Sequence, residues 1–138
     1  MASTTDERPT GGSVAAAISN AVVRIMSEYT GRGPTKARTS IRDDLIVVLM
    51  QDTMTKGERS LHAAGEGELV LHTRARYQHT MSQDLVAAVE MLTERKVIAF
   101  MSANHLDPDM AAETFVLEPA GATGEDGTES PEQSDRSR

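Results

Sequence analysis

Two apolar runs that flank a polar stretch dominate the hydrophobic pattern between residues 96 and 117. The apolar positions are Val97, Ile98, Phe100 and Met101 before the polar stretch and Phe115, Val116 and Leu117 after it. β-Branched and aromatic residues of this kind suit a pleated, half-buried surface. The pattern therefore predicts two strands that face each other across a connection from residue 103 to residue 111.

An amphipathic helix is predicted near the start of the chain. Apolar residues recur at spacings of three and four over residues 14–29, which places them on one helical face. Ser13 stands where an N-cap is expected. Gly31 can adopt a left-handed C-cap conformation and Pro34 blocks any continuation, so the helix should end there.

A β-hairpin is predicted after this helix. Residues 37–42 alternate between polar and small or apolar side chains, whereas residues 45–50 are continuously apolar. Asp43 and Asp44 between them suit a tight two-residue turn. We expect the second strand to be central in a sheet and the first to lie nearer an edge.

The segment from Thr55 to Arg95 is predicted to be mainly helical. Thr55 and Glu58 have the spacing of a capping box, which would open a short helix through Ala64. A longer apolar stripe follows, comprising Leu69, Thr73, Tyr77, Met81, Leu85, Val89 and Leu92. Thr80 and Gln83 form a second possible capping box, so this stripe predicts either one bent helix or two helices that meet near Met81.

The predicted order is α-ββ-αα-ββ, which defines an α+β fold: an antiparallel sheet of about four strands, made of two hairpins, with helices on one face. Such a sheet leaves its other face in need of cover, and we expect a homodimer formed through the sheet or the first helix. One domain is predicted over residues 13–119. Residues 1–12 and 120–138 are polar or rich in Pro, Gly and Ser, and are predicted to be disordered.

Composition narrows the possible functions. The chain has no cysteine, which excludes disulfides, zinc–thiolate sites and thiol nucleophiles. No apolar signal segment opens the sequence, and the longest apolar run is far shorter than the roughly 20 residues of a membrane span, so a cytoplasmic protein without its own span is expected. The net charge is −7, and residues 121–138 carry five acids against two arginines. Nucleic-acid binding is therefore disfavoured.

The polar connection between the last two strands is the first candidate site. His105, Asp107 and Asp109 alternate with Leu106 and Pro108, so in an extended loop the three polar side chains would share one side. Oxygen and imidazole ligands of this kind could hold a cation, and His105 with Asp107 could act as an acid–base pair. The alternative is architectural: an Asx turn in which Pro108 fixes the backbone.

The segment GRGPTKAR is the second candidate site. Arg32, Gly33, Thr35, Lys36 and Arg38 combine positive charge with exposed backbone amides, which could hold phosphate, carboxylate or bicarbonate. The segment lacks the spacing of a Walker loop. Helix termination with solvated charge is the alternative, and binding of RNA to this edge is another.

A third cluster, Lys56, Glu58 and Arg59, follows the continuously apolar strand. A capped helix start with an ion pair explains it, and it gains interest only beside the GRGPTK loop. Strands of about six residues suggest a separation of roughly 20 Å between the two loops within one protomer. Basic residues of the long helix, namely His72, Arg74, Arg76 and His79, are interpreted as solvated surface with some chance of partner contact.

Three segments in order, GPTKAR, TKGE and HLDPDM, carry a family resemblance that covers residues 14–119. In these segments the chain resembles the MpsC-like family, formerly a domain of unknown function. The family name refers to a sodium-translocating, membrane-potential-generating system. The resemblance implies an accessory or regulatory protein of such a sodium or bicarbonate system, and not its pore.

The sequence favours a non-enzymatic binding module that takes a protein partner or a small anion and needs no cofactor. No nucleophile and no full set of metal ligands is evident, and the amphipathic helices need partners. A metal-dependent or His/Asp-dependent enzyme that uses the HLDPD segment is the alternative. RNA binding through the GRGPTKAR edge is the second alternative.

Overall fold

The computed structural model describes residues 11–119, which form three helices and four strands. The elements are α1 (Gly11–Thr30), β1 (Lys36–Arg42), β2 (Leu45–Gln51), α2 (Lys56–Ala63), α3 (Gly67–Thr93), β3 (Val97–His105) and β4 (Met110–Leu117). This order confirms the predicted α-ββ-αα-ββ arrangement. The helix α1 includes Gly11 and Gly12, so Ser13 lies inside the helix and not at its N-cap. The rest of the two predicted disordered tails lies outside the described residues.

The four strands form one antiparallel sheet in the order β1-β2-β4-β3. The strand β2 is central and β1 is an edge, as the apolar pattern predicts. Asp43 has a φ of 56° in the two-residue turn between them, a left-handed conformation that Asp tolerates. The chain contains two units of the same order, α1-β1-β2 and α3-β3-β4. Their second strands, β2 and β4, pair at the centre of the sheet, and their first strands, β1 and β3, form its two edges. The sheet therefore has an approximate internal two-fold arrangement.

The core lies between one face of the sheet and the two long helices. Helix α1 contributes one buried stripe, β2 and β4 contribute their alternate residues, and α3 contributes its C-terminal half. The fully or almost fully buried apolar residues include Ile18, Val22, Ile25, Met26, Ile46, Val48, Met50, Met81, Leu85, Val89, Phe115 and Leu117. The rings of Phe100 and Phe115 pack at a centroid distance of 5.0 Å, which fastens β3 to β4 on this face.

Helix α3 is a single helix of 27 residues. Thr80 does not cap a second helix, because its hydroxyl donates to the Arg76 carbonyl at 2.9 Å within the same one. The predicted stripe is correct from Met81 onwards, but it is wrong in the first half of the helix. A run of strict four-residue steps drifts by about 40° per step, so Leu69 is 46% exposed whereas Val70 is fully buried.

Helix α2 begins as predicted with a capping box. The Thr55 hydroxyl accepts from the Glu58 amide at 3.1 Å, and the Glu58 carboxylate accepts from the Thr55 amide at 2.9 Å. This pair satisfies two backbone donors that the first turn of a helix would otherwise leave unpaired. The helix ends at Ala63, and Gly65 adopts a φ of 85° beyond it.

Candidate functional site

The face of the sheet opposite the helices is a candidate site, and we call it the open face. The strand registers place sixteen alternate residues on it. The strands β2, β4 and β3 present mainly apolar or small residues on it, namely Leu45, Val47, Leu49, Met110, Ala112, Thr114, Val116, Ala99, Met101 and Ala103. Leu45 is 41% exposed and Met101 is 52% exposed, although both are large apolar residues. No helix of the described chain, residues 11–119, packs on this face.

The charge of the open face is opposite in sign to that of the whole chain. Its outer strand β1 presents Lys36, Arg38 and Arg42, each on the exposed side of an alternating pattern. The registers of the four described strands place no Asp or Glu on this face, whereas the chain has a net charge of −7. An apolar centre beside a row of cations suits an occupant that is both apolar and anionic.

A groove of about 540 Å³ lies at one end of the open face. It is lined by Thr35, Lys36, Ala37, Arg38, Leu49 and Gln51. The structure thus brings together three residues of the predicted anion site, Thr35, Lys36 and Arg38, and adds Leu49 and Gln51 from the neighbouring strand. Sequence reasoning missed these two because cross-strand neighbours depend on the hairpin register.

The other two residues of the predicted anion site are occupied by structural contacts. Arg32 Nη1 donates to the carbonyl oxygens of Asp52 and Met54 at 2.6 and 3.1 Å, and its Nη2 donates to the Asp52 carboxylate at 2.9 Å. Gly33 lies so close to α1 that a Cβ atom there would be 2.6 Å from the Ser27 hydroxyl. Both residues therefore hold the loop in place.

The expected separation of roughly 20 Å between the GRGPTK loop and the Lys56–Glu58–Arg59 cluster is wrong. In the antiparallel hairpin Lys36 pairs with Gln51, so the start of β1 and the end of β2 lie at the same end of the sheet. The Asp52 carboxylate bridges the two loops, accepting from Arg59 at 2.7 Å as well as from Arg32. Hydrogen bonds from Arg59, then Arg32 and then Thr35 lower the pKa of Asp52 to about 2, so Thr35 also has a structural contact with this carboxylate.

The HLDPD segment also joins this end of the sheet, through Asp109. Its carboxylate accepts from the Thr53 hydroxyl at 2.6 Å and from the Met54 amide at 2.9 Å. His105 Nδ1 lies 2.8 Å from the Pro108 carbonyl oxygen, a contact within the turn itself. Asp109 and His105 are therefore used in architecture. Across residues 11–119 the structure contains no group of three or more His, Cys, Asp or Glu side chains that could hold a metal ion.

A buried polar network beneath α3 has Glu113 at its centre. Glu113 is fully buried on the helix side of β4. Its carboxylate accepts a short hydrogen bond from the Ser102 hydroxyl and another from Gln78 Nε2 at 3.3 Å. Burial raises the pKa of Glu113 to about 7, because the hydrogen bonds from Ser102 and Gln78 and the nearby Arg74 charge compensate only in part.

Arg74 extends this network and corrects one sequence interpretation. It was expected on the solvated surface of the long helix, yet it is only 6% exposed. Its Nη1 donates to Asn104 Oδ1 at 3.1 Å and its Nε lies 3.5 Å from the Glu58 carboxylate. Glu58, which belongs to the third candidate cluster, therefore caps α2 and also forms an ion pair with Arg74 of α3. The other three basic residues of this group, His72, Arg76 and His79, are exposed as expected.

Alternation along β4 was the signal that could have found Glu113. Residues 111, 113, 115 and 117 of that strand are all buried, and three of these four positions are apolar in the sequence. Arg74 gave no comparable signal, since a basic residue on a helix is normally solvated.

The architecture places the chain among small α+β proteins with an antiparallel sheet, and sequence comparison gives the family. The MpsC family, described as a Na+-translocating membrane potential-generating system, matches residues 10–119. This match spans most of the 138 residues, and the chain belongs to the MpsC family. No curated protein and no solved structure shows significant similarity to it.

Within residues 11–119, no helix combines the length and the apolar character needed to cross a bilayer.

Proposed function

We propose that this protein is a non-enzymatic accessory module of a sodium-dependent, membrane-potential-generating system, and that it binds a partner protein of that system through the open face. The observation that carries the proposal is the open face itself: an uncovered apolar surface edged by Lys36, Arg38 and Arg42. A contiguous apolar sheet face that no other element of the described chain covers is a candidate interaction site. Family membership supports the link to the membrane system.

The charge pattern defines the partner surface. Since the basic row lies along one edge of an apolar centre, the complementary surface has apolar side chains with acidic residues on one flank. The groove at Thr35, Lys36 and Arg38 would receive a carboxylate of that surface. In the second version of the proposal, the ligand of this groove is a free small anion, such as phosphate or bicarbonate, and not a carboxylate of a partner protein.

Enzymatic alternatives have less support. His105 contacts a carbonyl of its own turn, and Asp109 accepts hydrogen bonds from the Thr53 hydroxyl and the Met54 amide. Both side chains of the HLDPD segment therefore have structural roles. The RNA alternative would use the same basic row, and it predicts retention on heparin that modest salt abolishes.

A matched pair of charge reversals tests the proposal. Arg38→Glu changes the open face, whereas Arg24→Glu makes the same charge change on the exposed side of α1. We expect the native protein to capture a membrane protein from detergent-solubilised membranes of its source. Arg38→Glu should weaken that capture about tenfold or more, and Arg24→Glu should leave it unchanged.

Binding of a small anion is tested separately, by a thermal-shift measurement with phosphate, bicarbonate and simple carboxylates. A ligand that binds the folded state raises the melting temperature by mass action, and Arg38→Glu should abolish the rise. Equal capture by both variants would contradict the proposal. So would a native protein that captures nothing and responds to no anion.

A further inference from the structure

The two edges of the sheet differ in a way that indicates an interface. Edge strands expose unpaired backbone groups, and proteins protect them with charged residues or proline. The edge β1 carries Lys36, Arg38 and Arg42 and follows directly after the Pro34 loop. The edge β3, with the sequence VIAFMSANH, is nine residues long and contains no Lys, Arg, Asp, Glu or Pro. The strand β3 has one register irregularity, between Val97 and Ala99, and pairs regularly with β4 from Ala99 to His105. Only β1 is protected by charged residues.

The surroundings of β3 are apolar as well. Ile98 is 56% exposed and Met101 is 52% exposed. Between β3 and the outer side of α3 lies a shallow groove lined by Ser82, Gln83, Val86, Ala87, Glu90 and Phe100. An uncharged strand edge that continues into an apolar groove offers both backbone pairing and side-chain packing to a partner strand and helix.

We propose that a second copy of this chain occupies this edge, with β3 of one protomer pairing antiparallel to β3 of the other. A two-fold axis between the two strands joins the sheets into one of eight strands. The same axis places the two α3 helices antiparallel to each other above the new strand pair. The two open faces then form one continuous surface with a basic β1 row at each outer edge.

The charges along α3 support an antiparallel pairing of two copies. Helical spacing places the exposed Arg76 and His79 in line with Gln83, Val86 and Glu90 of this groove, and Glu94 follows at the C-cap. This side of α3 is therefore basic in its first half and acidic in its second half. An antiparallel arrangement brings the basic half of each helix opposite the acidic half of its partner. A parallel arrangement would place like charges together.

This inference does not rest on the proposed function, because it concerns the β3 edge and not the occupant of the open face. The test compares two substitutions at equivalent places of the two edges. Met101→Lys places a lysine close to its own copy across the two-fold axis. Ser40→Lys places one on the exposed side of β1, which the proposed dimer leaves free.

The measurement is sedimentation equilibrium of the full chain over a wide concentration range, with a melting curve to check folding. We expect native protein and Ser40→Lys to form dimers of twice 14.9 kDa. Met101→Lys should raise the dimer dissociation constant about tenfold or more without loss of fold. Hydrogen exchange gives a second readout: β3 amides should lose protection on dilution and β1 amides should not.

A native chain that is monomeric at all concentrations would overturn the inference. A dimer that both substitutions weaken equally, or that only Ser40→Lys weakens, would also overturn it, because either result would place the contact elsewhere on the sheet.

Discussion

Raising the pH from about 5 to about 8 is expected to lower the free energy of unfolding by about 2 to 3 kcal/mol through Glu113 alone. The carboxyl has a pKa of about 7 in the folded chain against an ordinary value of 4.5. Between these two values the folded state binds more protons than the unfolded state. The contribution of Glu113 to stability is therefore largest below pH 4.5, falls as the pH rises towards 7, and is constant above this window.

Glu113→Gln should remove this dependence, because an amide of the same shape has no proton to lose. Urea denaturation of both proteins across the pH range isolates the contribution of Glu113, because the two proteins differ only at residue 113. We expect the variant to be more stable than the native protein at about pH 8, by about 2 kcal/mol. Parallel curves for the two proteins would show that Glu113 does not titrate in this range.

Arg74→Ala is expected to lower the free energy of unfolding by about 3 kcal/mol. The substitution leaves the nearly buried Glu58 carboxylate without its cation and removes one donor from Asn104 Oδ1. Loss of one partner of a buried ion pair is costly because the remaining charge stays desolvated. Urea denaturation near neutral pH measures the change.

Arg24→Ala is the matched control, because Arg24 is an exposed arginine on α1. Surface substitutions of this kind usually change stability by less than about 0.5 kcal/mol. Similar losses in the two variants would contradict the buried position of Arg74 and the network that it joins.

The fold was predictable because each element has a local signal. The alternation of residues 37–42, the continuous apolar run of residues 45–50 and the Asp43–Asp44 turn together indicate a hairpin with its second strand inside the sheet. The Thr55–Glu58 capping box marked the start of α2. The buried face of the first half of α3 was not predictable from apolar spacing, because the buried positions there include Arg74 and Gln78.

The candidate site was predictable only where its residues are neighbours in sequence. Thr35, Lys36 and Arg38 belong to one segment, and β-strand alternation puts Lys36 and Arg38 on the same side. Leu49 and Gln51 join them through the register of the hairpin. The contact between Arg32 and Asp52 follows from the antiparallel direction of β1 and β2, which the expected 20 Å separation of the two loops overlooked.

The same sheet thus separates two kinds of chemistry. On the helix side, polar groups such as Glu113, Arg74 and Gln78 are buried and belong to one hydrogen-bond network that includes Asn104. On the open face, the cations of β1 are exposed and the apolar residues are exposed or half-buried. This division supports a module whose helix layer maintains the fold while its sheet binds a partner.

The binding role of the open face is tested most directly by site-specific photo-crosslinking in membranes of the source organism. A photoreactive residue replaces Leu49 in the centre of the open face, or His72 on the exposed side of α3. We expect the Leu49 position to form a crosslink to a membrane-system protein, and the His72 position to form none. Crosslinks from the His72 position, with none from the Leu49 position, would contradict the central claim.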